Sequence, residues 1–161
     1  MKVKEIMTAS PKACTPTDTL TDAARAMWDN DCGVLPVVAD GGKVVGLITD
    51  RDICMSAGMH GSNLANLAVE DVCSGKVYSV KLDDDVHKAL EVMQDRKVRR
   101  VPVVDADGAL QGMLSMNDVV LRAQESAEKG APSIAYADVV NTFKAICAHQ
   151  LPIELTHGAG A

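Results

Sequence analysis

Apolar and polar positions along the chain fall into two similar blocks. In the first, Val34-Leu35-Pro36-Val37-Val38 and Val44-Val45-Gly46-Leu47-Ile48 flank the turn Asp40-Gly41-Gly42, and a Gly-rich turn between two β-branched runs predicts a hairpin. Upstream, Leu20, Ala23, Ala24 and Met27 recur at helical spacing behind Thr19 and Asp22, a capping-box pair that opens a helix. A short apolar segment around Ala13-Cys14-Thr15 precedes that helix, and a second helix opens near Thr49-Asp50. The second block repeats the order. Ser79-Val80-Lys81 comes first, and Asp85 then caps a helix carrying Val86, Ala89, Leu90 and Met93. Two runs follow around Asp105-Ala106-Asp107-Gly108, and another helix opens near Ser115-Met116. Pro36 and Pro102 lack an N–H and are expected at a sheet edge or strand start.

A shift of 66 residues superimposes the blocks without a gap, with ten of 51 positions identical between 4–54 and 70–120. The identities include Pro36/Pro102, Gly46/Gly112 and Asp52/Asp118. Each block reads β-α-β-β-α, and a unit of that size is marginal alone. The expected architecture is therefore α+β, with two repeats packed face to face about a pseudo-two-fold axis over a shared core. Residues 1–60 form repeat 1. Residues 61–123 hold repeat 2, behind a linker expected over Gly58 to Ala68. Residues 124–161 form an extension, with a break at Ser126 to Ser133, a helix over 134–149 carrying Val139, Val140, Phe143, Ile146 and Cys147, and a disordered tail from Thr156 to Ala161.

Composition narrows the chemistry. Aromatic residues make up 2% of the 161 residues, and the formal net charge is −6. Base stacking needs aromatic faces and phosphate tracking needs a basic surface, so a nucleic-acid partner is not expected. The five cysteines form no C-x-x-C pair and read as reduced, buried apolar residues. No secretory leader opens the chain and no run approaches a membrane span, so a soluble, cytoplasmic protein is expected. His60, His87, His149 and His157 lack metal-ligand spacing and read as surface residues. Met55 and Met59 read as core or dimer contacts, and Asp83-Asp84-Asp85 as a solvated capping turn. No hydrolase, kinase, phosphate-loop or metalloprotease motif is present, so neither catalysis nor a metal is expected.

The candidate chemistry lies in Gly46-Leu47-Ile48-Thr49-Asp50-Arg51-Asp52 and its twin Gly112-Met113-Leu114-Ser115-Met116-Asn117-Asp118. In each, a strand ends at a hydroxyl residue that can cap the next helix, and a carboxylate follows one turn on. A carboxylate can accept hydrogen bonds from two ribose hydroxyls, and free N–H groups at a helix start favour a phosphate. The same spacing is also an ordinary capping box. Its duplication at identical offsets favours binding.

The pattern Gly-hydrophobic-hydrophobic-Thr/Ser-x-x-Asp behind hydrophobic-Pro-Val-Val resembles the cystathionine-β-synthase (CBS) domain, in two copies over residues 1 to about 123. The resemblance implies a tandem module with two clefts that bind AMP, ADP, ATP or S-adenosylmethionine. It implies that Asp52 and Asp118 hold ribose, that Thr49 and Ser115 lie near ribose or phosphate, and that strand backbone around Val34, Pro36, Val101 and Pro102 frames the base. Arg99 or Arg100, in the basic stretch Arg96 to Arg100 that repeat 1 lacks, would meet phosphate; a solvated helix end is the alternative. It further implies pairing into a disc-like homodimer and a ligand-dependent surface for an unidentified protein target. An oligomerisation module with degenerate sites, or a detached regulatory subunit of a separate enzyme, are the competing functions.

Overall fold

The computed structural model describes residues 1–60, 63–125 and 134–148. The linker positions Gly61 and Ser62, the break at Ser126 to Ser133 and the tail lie outside them. In chain order the elements are β1 (Thr8–Ala9), α1 (Leu20–Asp29), β2 (Val34–Val38), β3 (Val44–Thr49), α2 (Asp50–His60), β4 (Val80–Lys81), α3 (Val86–Arg96), β5 (Arg100–Val104), β6 (Leu110–Ser115), α4 (Met116–Arg122) and α5 (Tyr136–Cys147).

The two repeats agree in detail. The β2–β3 hairpin pairs Val34 with Thr49 and Pro36 with Leu47, and β5–β6 pairs Arg100 with Ser115 and Pro102 with Met113. Both hairpins shift register at the same place, between Val37 and Val38 and between Val103 and Val104. Thr19 caps α1 in the expected capping box with Asp22, and Asp85 caps α3 by accepting from the His87 N–H. Each of these helices is followed by a left-handed residue at an equivalent place, Asp31 (φ 48°) and Lys97 (φ 54°).

Pro102 departs from its expected position. It sits third in β5, which runs between β6 and β4. Its missing N–H is tolerated because the parallel pairing with β4 starts one residue later, at Val80 with Val103. Ala13-Cys14-Thr15 forms only a parallel bridge from Cys14 to Val37, whereas its counterpart is the short strand β4. The segment expected as a linker is partly helical, because α2 continues through Gly58 to His60.

The core is not one shared body. One apolar cluster gathers Leu20, Ala23, Met27, Leu35, Val37, Ile48 and Ile53 of repeat 1, the other Val86, Leu90, Met93, Val101, Val103 and Leu114 of repeat 2. The repeats are joined by exchange. Val3 and Ile6, at the start of repeat 1, are buried in the cluster of repeat 2, and Val69, leading into the body of repeat 2, is buried in the cluster of repeat 1. In the same way β1 pairs antiparallel with β6, while Ser74 exchanges backbone hydrogen bonds with Leu47 of β3 at 3.2 and 3.0 Å.

Glycine makes both crossings possible. A Cβ at Gly46 would stand 2.9 Å from the Ser74 carbonyl oxygen and 3.0 Å from Cys73 Sγ; one at Gly112 would stand 3.0 Å from the Thr8 carbonyl oxygen and collide with Met7 Sδ. The acidic turn fastens the first crossing. Asp83 pairs with Lys2 and Lys4 at 3.1 and 2.8 Å, and Asp85 lies 3.4 Å from the chain's amino terminus. Backbone and ring hydrogen bonds from His87 hold the Asp85 carboxyl down at about 2.

α5 realises the expected C-terminal helix and packs on α3 and α4 through Val139, Phe143 and Ile146. Gln94 Nε2 donates to the buried Thr142 Oγ1 at 2.8 Å, and Lys97 Nζ donates to the Ala148 carbonyl. His87 links the two N-termini, with Nδ1 2.8 Å from Asp85 and Nε2 3.5 Å from Asp138. It is thus a connecting residue and not a bare surface histidine.

Of the cysteines expected to be buried, only Cys14 is; Cys32 and Cys73 are half-buried, and Cys54 and Cys147 are exposed. Met55 and Met59 are 49% and 75% exposed, so neither belongs to the core.

Candidate functional site

A cleft of about 490 Å³ opens between the repeats. Val34 and Pro36 of β2 line one wall, Arg100, Ser115, Asn117 and Asp118 the other, and Thr8, Ser10 and Lys12 of the crossing segment close the end. Five of the residues singled out in the sequence therefore come together: Val34, Pro36, Arg100, Ser115 and Asp118. They do so because β5 starts with Arg100 directly across the hairpin from Ser115. The exchange of leading segments then sets the start of repeat 1 alongside β6.

Asp118 serves the helix with one carboxylate oxygen. Its Oδ2 accepts from Ser115 N at 2.8 Å and Ser115 Oγ at 2.6 Å, while Asp118 N donates back to Ser115 Oγ at 3.4 Å. Asp52 repeats this with Thr49: Oδ2 accepts from Thr49 N at 2.9 Å and Thr49 Oγ1 at 2.7 Å. The capping box weighed in the sequence is thus formed in both copies. In neither copy does Oδ1 accept a hydrogen bond from the described residues. In the cleft this leaves an acceptor on Asp118 whose carboxylate is already oriented by its own cap.

The expected supply of free N–H groups at the helix start is smaller than the sequence suggested. The Met116 N–H donates to the Arg99 carbonyl at 2.9 Å, and the Asp118 N–H is taken by Ser115. The positive charge at the cleft comes instead from side chains. Arg100 is half-buried there, and Lys12 is a second cation that sequence reasoning missed. The missed signal was the polar run Thr8-Ala9-Ser10-Pro11-Lys12, which acquires meaning only once the leading segment is known to cross to the other repeat.

The other candidates stand elsewhere. Arg99 is exposed and lines a separate cavity of about 100 Å³ with Arg100, Ser115, Met116, Asn117 and Phe143. Val101 is fully buried in the repeat 2 cluster and Pro102 is buried too, and neither lines this cleft. Thr49 and Asp52 hold the equivalent place in repeat 1 and do not line this cleft. On their side the repeat counterparts of Lys12 and Asn30 are Tyr78 and Arg96, and the Arg96 guanidinium lies over the Tyr78 ring, 4.5 Å from its centre. Those two positions are open lining in one half of the molecule and tied to each other in the other half.

Among the described residues no three His, Cys, Asp or Glu side chains gather as a metal site, and no helix is long and apolar enough to cross a membrane. Burial pushes the Cys14 thiol up to about 11.

The CBS domain profile matches the chain twice, over residues 3–57 and 69–125. The chain belongs to the CBS domain family. It is similar to hypoxic response protein 1 of Mycobacterium tuberculosis, with 29% identity over 144 residues covering 89% of this chain and 92% of the relative. The crystal structure of that protein, which carries two coordinated zinc ions, superimposes with a TM-score of 0.70 over 76% of this chain and 98% of the other. CBSX2 of Arabidopsis thaliana, solved in complex with AMP, superimposes with a TM-score of 0.65 at 26% identity, over 74% of this chain and 93% of the other. A Methanopyrus kandleri relative, MK0525, is 30% identical over 117 residues; these cover 73% of this chain and 57% of that longer protein. This chain is thus a tandem CBS pair, and α5 is an addition beyond the matched residues.

Proposed function

We propose that this CBS pair is a non-catalytic regulatory module that binds an adenine nucleotide in the cleft between its repeats and passes occupancy on as a change in packing. AMP, ADP and ATP are the favoured ligands, with S-adenosylmethionine the nearest alternative. No metal is needed, and the module works as a soluble, cytoplasmic homodimer. The observation that carries this is the cleft itself. An oriented carboxylate, Asp118, and the cation Arg100 share one wall, Val34 and Pro36 form an apolar wall, and a second cation, Lys12, lies at the end. Such a set suits a ribose, a phosphate and a base in turn. The AMP held by CBSX2 supports the ligand class.

Asp118 would accept from ribose and Ser115 would lie beside it, with Arg100 taking phosphate and Arg99 reachable from the neighbouring cavity. Thr49 and Asp52, with backbone at Val101 and Pro102, would form the second, weaker site. Two states of different packing, one favoured by ligand, are all that regulation requires.

The experiment is thermal melting of the wild type with AMP, ADP, ATP, S-adenosylmethionine and, as a control, NADH. It is repeated with Asp118→Asn and Asp52→Asn, since Asn still caps a helix. At ligand concentrations a hundredfold above Kd the stabilisation is about 2.7 kcal/mol, and it should shrink most in Asp118→Asn. Equal shifts in all three proteins, or none, would leave only an oligomerisation module.

A further inference from the structure

We infer that the small cavity beside α5 is a phosphoryl subsite, so that the chain prefers a nucleoside diphosphate to a monophosphate and α5 registers the difference. This rests on the nucleotide reading above and deepens it, because it assigns the second phosphoryl group and the element that senses it. The cavity of about 100 Å³ is lined by Arg99, Arg100, Ser115, Met116, Asn117 and Phe143. Arg100, Ser115 and Asn117 also line the cleft that holds Asp118, so the two spaces share a wall. Its volume falls below the roughly 300 Å³ at which pockets for whole small molecules start. A group attached to a ligand in the cleft fits it; a second nucleoside does not.

The lining sets the charge of that group. It offers two guanidiniums, a hydroxyl and an amide, and no carboxylate. Neither guanidinium pairs with a carboxylate among the described residues. Neighbouring guanidiniums repel one another, and an anion between them replaces that repulsion with charge-assisted hydrogen bonds. Arg99 reaches the cavity because it lies ahead of β5, outside the alternation of the strand, with its carbonyl held by the Met116 N–H at 2.9 Å.

Repeat 1 supplies the contrast. The counterparts of Arg99, Arg100 and Met116 are Gly33, Val34 and Asp50, and a Cβ at Gly33 would stand 2.9 Å from Asp50 Oδ2. A carboxylate therefore stands where repeat 2 presents Arg99. Arg51, at the place of Asn117, is the one cation of that set. Charge there is balanced, against two unopposed guanidiniums in repeat 2, so the subsite belongs to one cleft alone.

Phe143 brings α5 into the lining. The same ring packs on the repeat 2 cluster, and its neighbour Thr142 is bonded to Gln94 at 2.8 Å. A phosphoryl group in the cavity neutralises the charge beside this helix and favours the state in which α5 is docked. Because α5 lies beyond the residues matched to the CBS family, this readout is particular to the chain.

The test is isothermal titration of AMP and ADP into the wild type, Arg99→Gln and Arg122→Gln, with hydrogen exchange of the α5 amides followed at saturating ligand. The wild type should bind ADP at least tenfold more tightly than AMP, and ADP should slow α5 exchange more than AMP does. Arg99 is exposed, so Arg99→Gln should keep the ligand-free melting temperature while its preference for ADP falls to near unity. Arg122→Gln removes the same charge from the exposed end of α4 and should keep the preference. No binding of either nucleotide to the wild type would overturn the nucleotide reading and the subsite with it. Binding of both without preference, or a preference that survives Arg99→Gln or is lost in Arg122→Gln, would overturn the subsite alone. Equal α5 exchange with AMP and ADP would overturn the role of α5.

Discussion

Replacing Gly112 with Ala tests the exchange of leading segments on which the cleft depends. The added Cβ would stand 3.0 Å from the Thr8 carbonyl oxygen and against Met7 Sδ. The thioether is the end of a flexible chain and can swing away, but the carbonyl belongs to β1 and accompanies its pairing with β6. A methyl needs about 0.4 Å more room than it finds, and overpacking of that kind costs about 1–3 kcal/mol. For a chain of this length each kcal/mol lowers the melting temperature by about 2–4 °C, so a drop of roughly 2–12 °C is expected by calorimetry. Gly46→Ala should behave alike, with the Ser74 carbonyl at 2.9 Å as its obstacle. Gly58→Ala is the control. It lies inside α2 with nothing near its added methyl, so helix propensity should stabilise it by about 0.5–1 kcal/mol. Because Thr8 lines the cleft, Gly112→Ala should also weaken nucleotide binding more than Gly46→Ala does. If Gly112→Ala melts with the wild type and binds as well, the crossing of β1 onto repeat 2 is wrong.

Further outcomes follow from α5 and from the thiols. Asp85 and Asp138 raise the His87 pKa above its ordinary value, so the stability it adds is complete below about 6.5. That stability is lost as pH rises through the raised folded value; exchange protection of α5 amides should fall over that interval in the wild type and stay flat in His87→Ala. Thr142→Val removes the acceptor for Gln94 and the donor to the Asp138 carbonyl at constant shape, and should cost about 1 kcal/mol in denaturant unfolding; no change would show that α5 is not held there. Mass spectrometry after brief iodoacetamide treatment near neutral pH should find Cys54 and Cys147 modified well before Cys14, which is buried with its thiol raised to about 11. Early labelling of Cys14 would contradict the packing of repeat 1.

Local patterns were legible in the sequence because they rest on local physics. Thr19 with Asp22, Asp85 with the α3 start, and the two hairpins each depend on residues a few positions apart, and all form as expected. The offset between the copies also set Ser115 and Asp118 in one frame with Thr49 and Asp52. The partners at long range were not legible. Val3 and Ile6 carry no mark that assigns them to the repeat beyond their own, so the exchange appears only when the chain is folded. For the same reason Lys12 was missed and the shared core was expected in place of two clusters. Arg99 and Val101 flank Arg100, but strand alternation turns Val101 away from the face that carries Arg100 and into the core, while Arg99 lies ahead of β5 and is exposed.

The claim that matters most is that Asp118 recognises a ribose diol, and a double cycle by isothermal titration addresses it. AMP and 2′,3′-dideoxy-AMP are titrated into the wild type and into Asp118→Asn. Hydrogen bonds to a charged group contribute about 1.5–3 kcal/mol, so AMP should bind the variant about 10–100-fold more weakly. The dideoxy nucleotide, already weakened, should lose little more. Equal losses for both nucleotides, or none for either, would show that this carboxylate caps its helix and does nothing else.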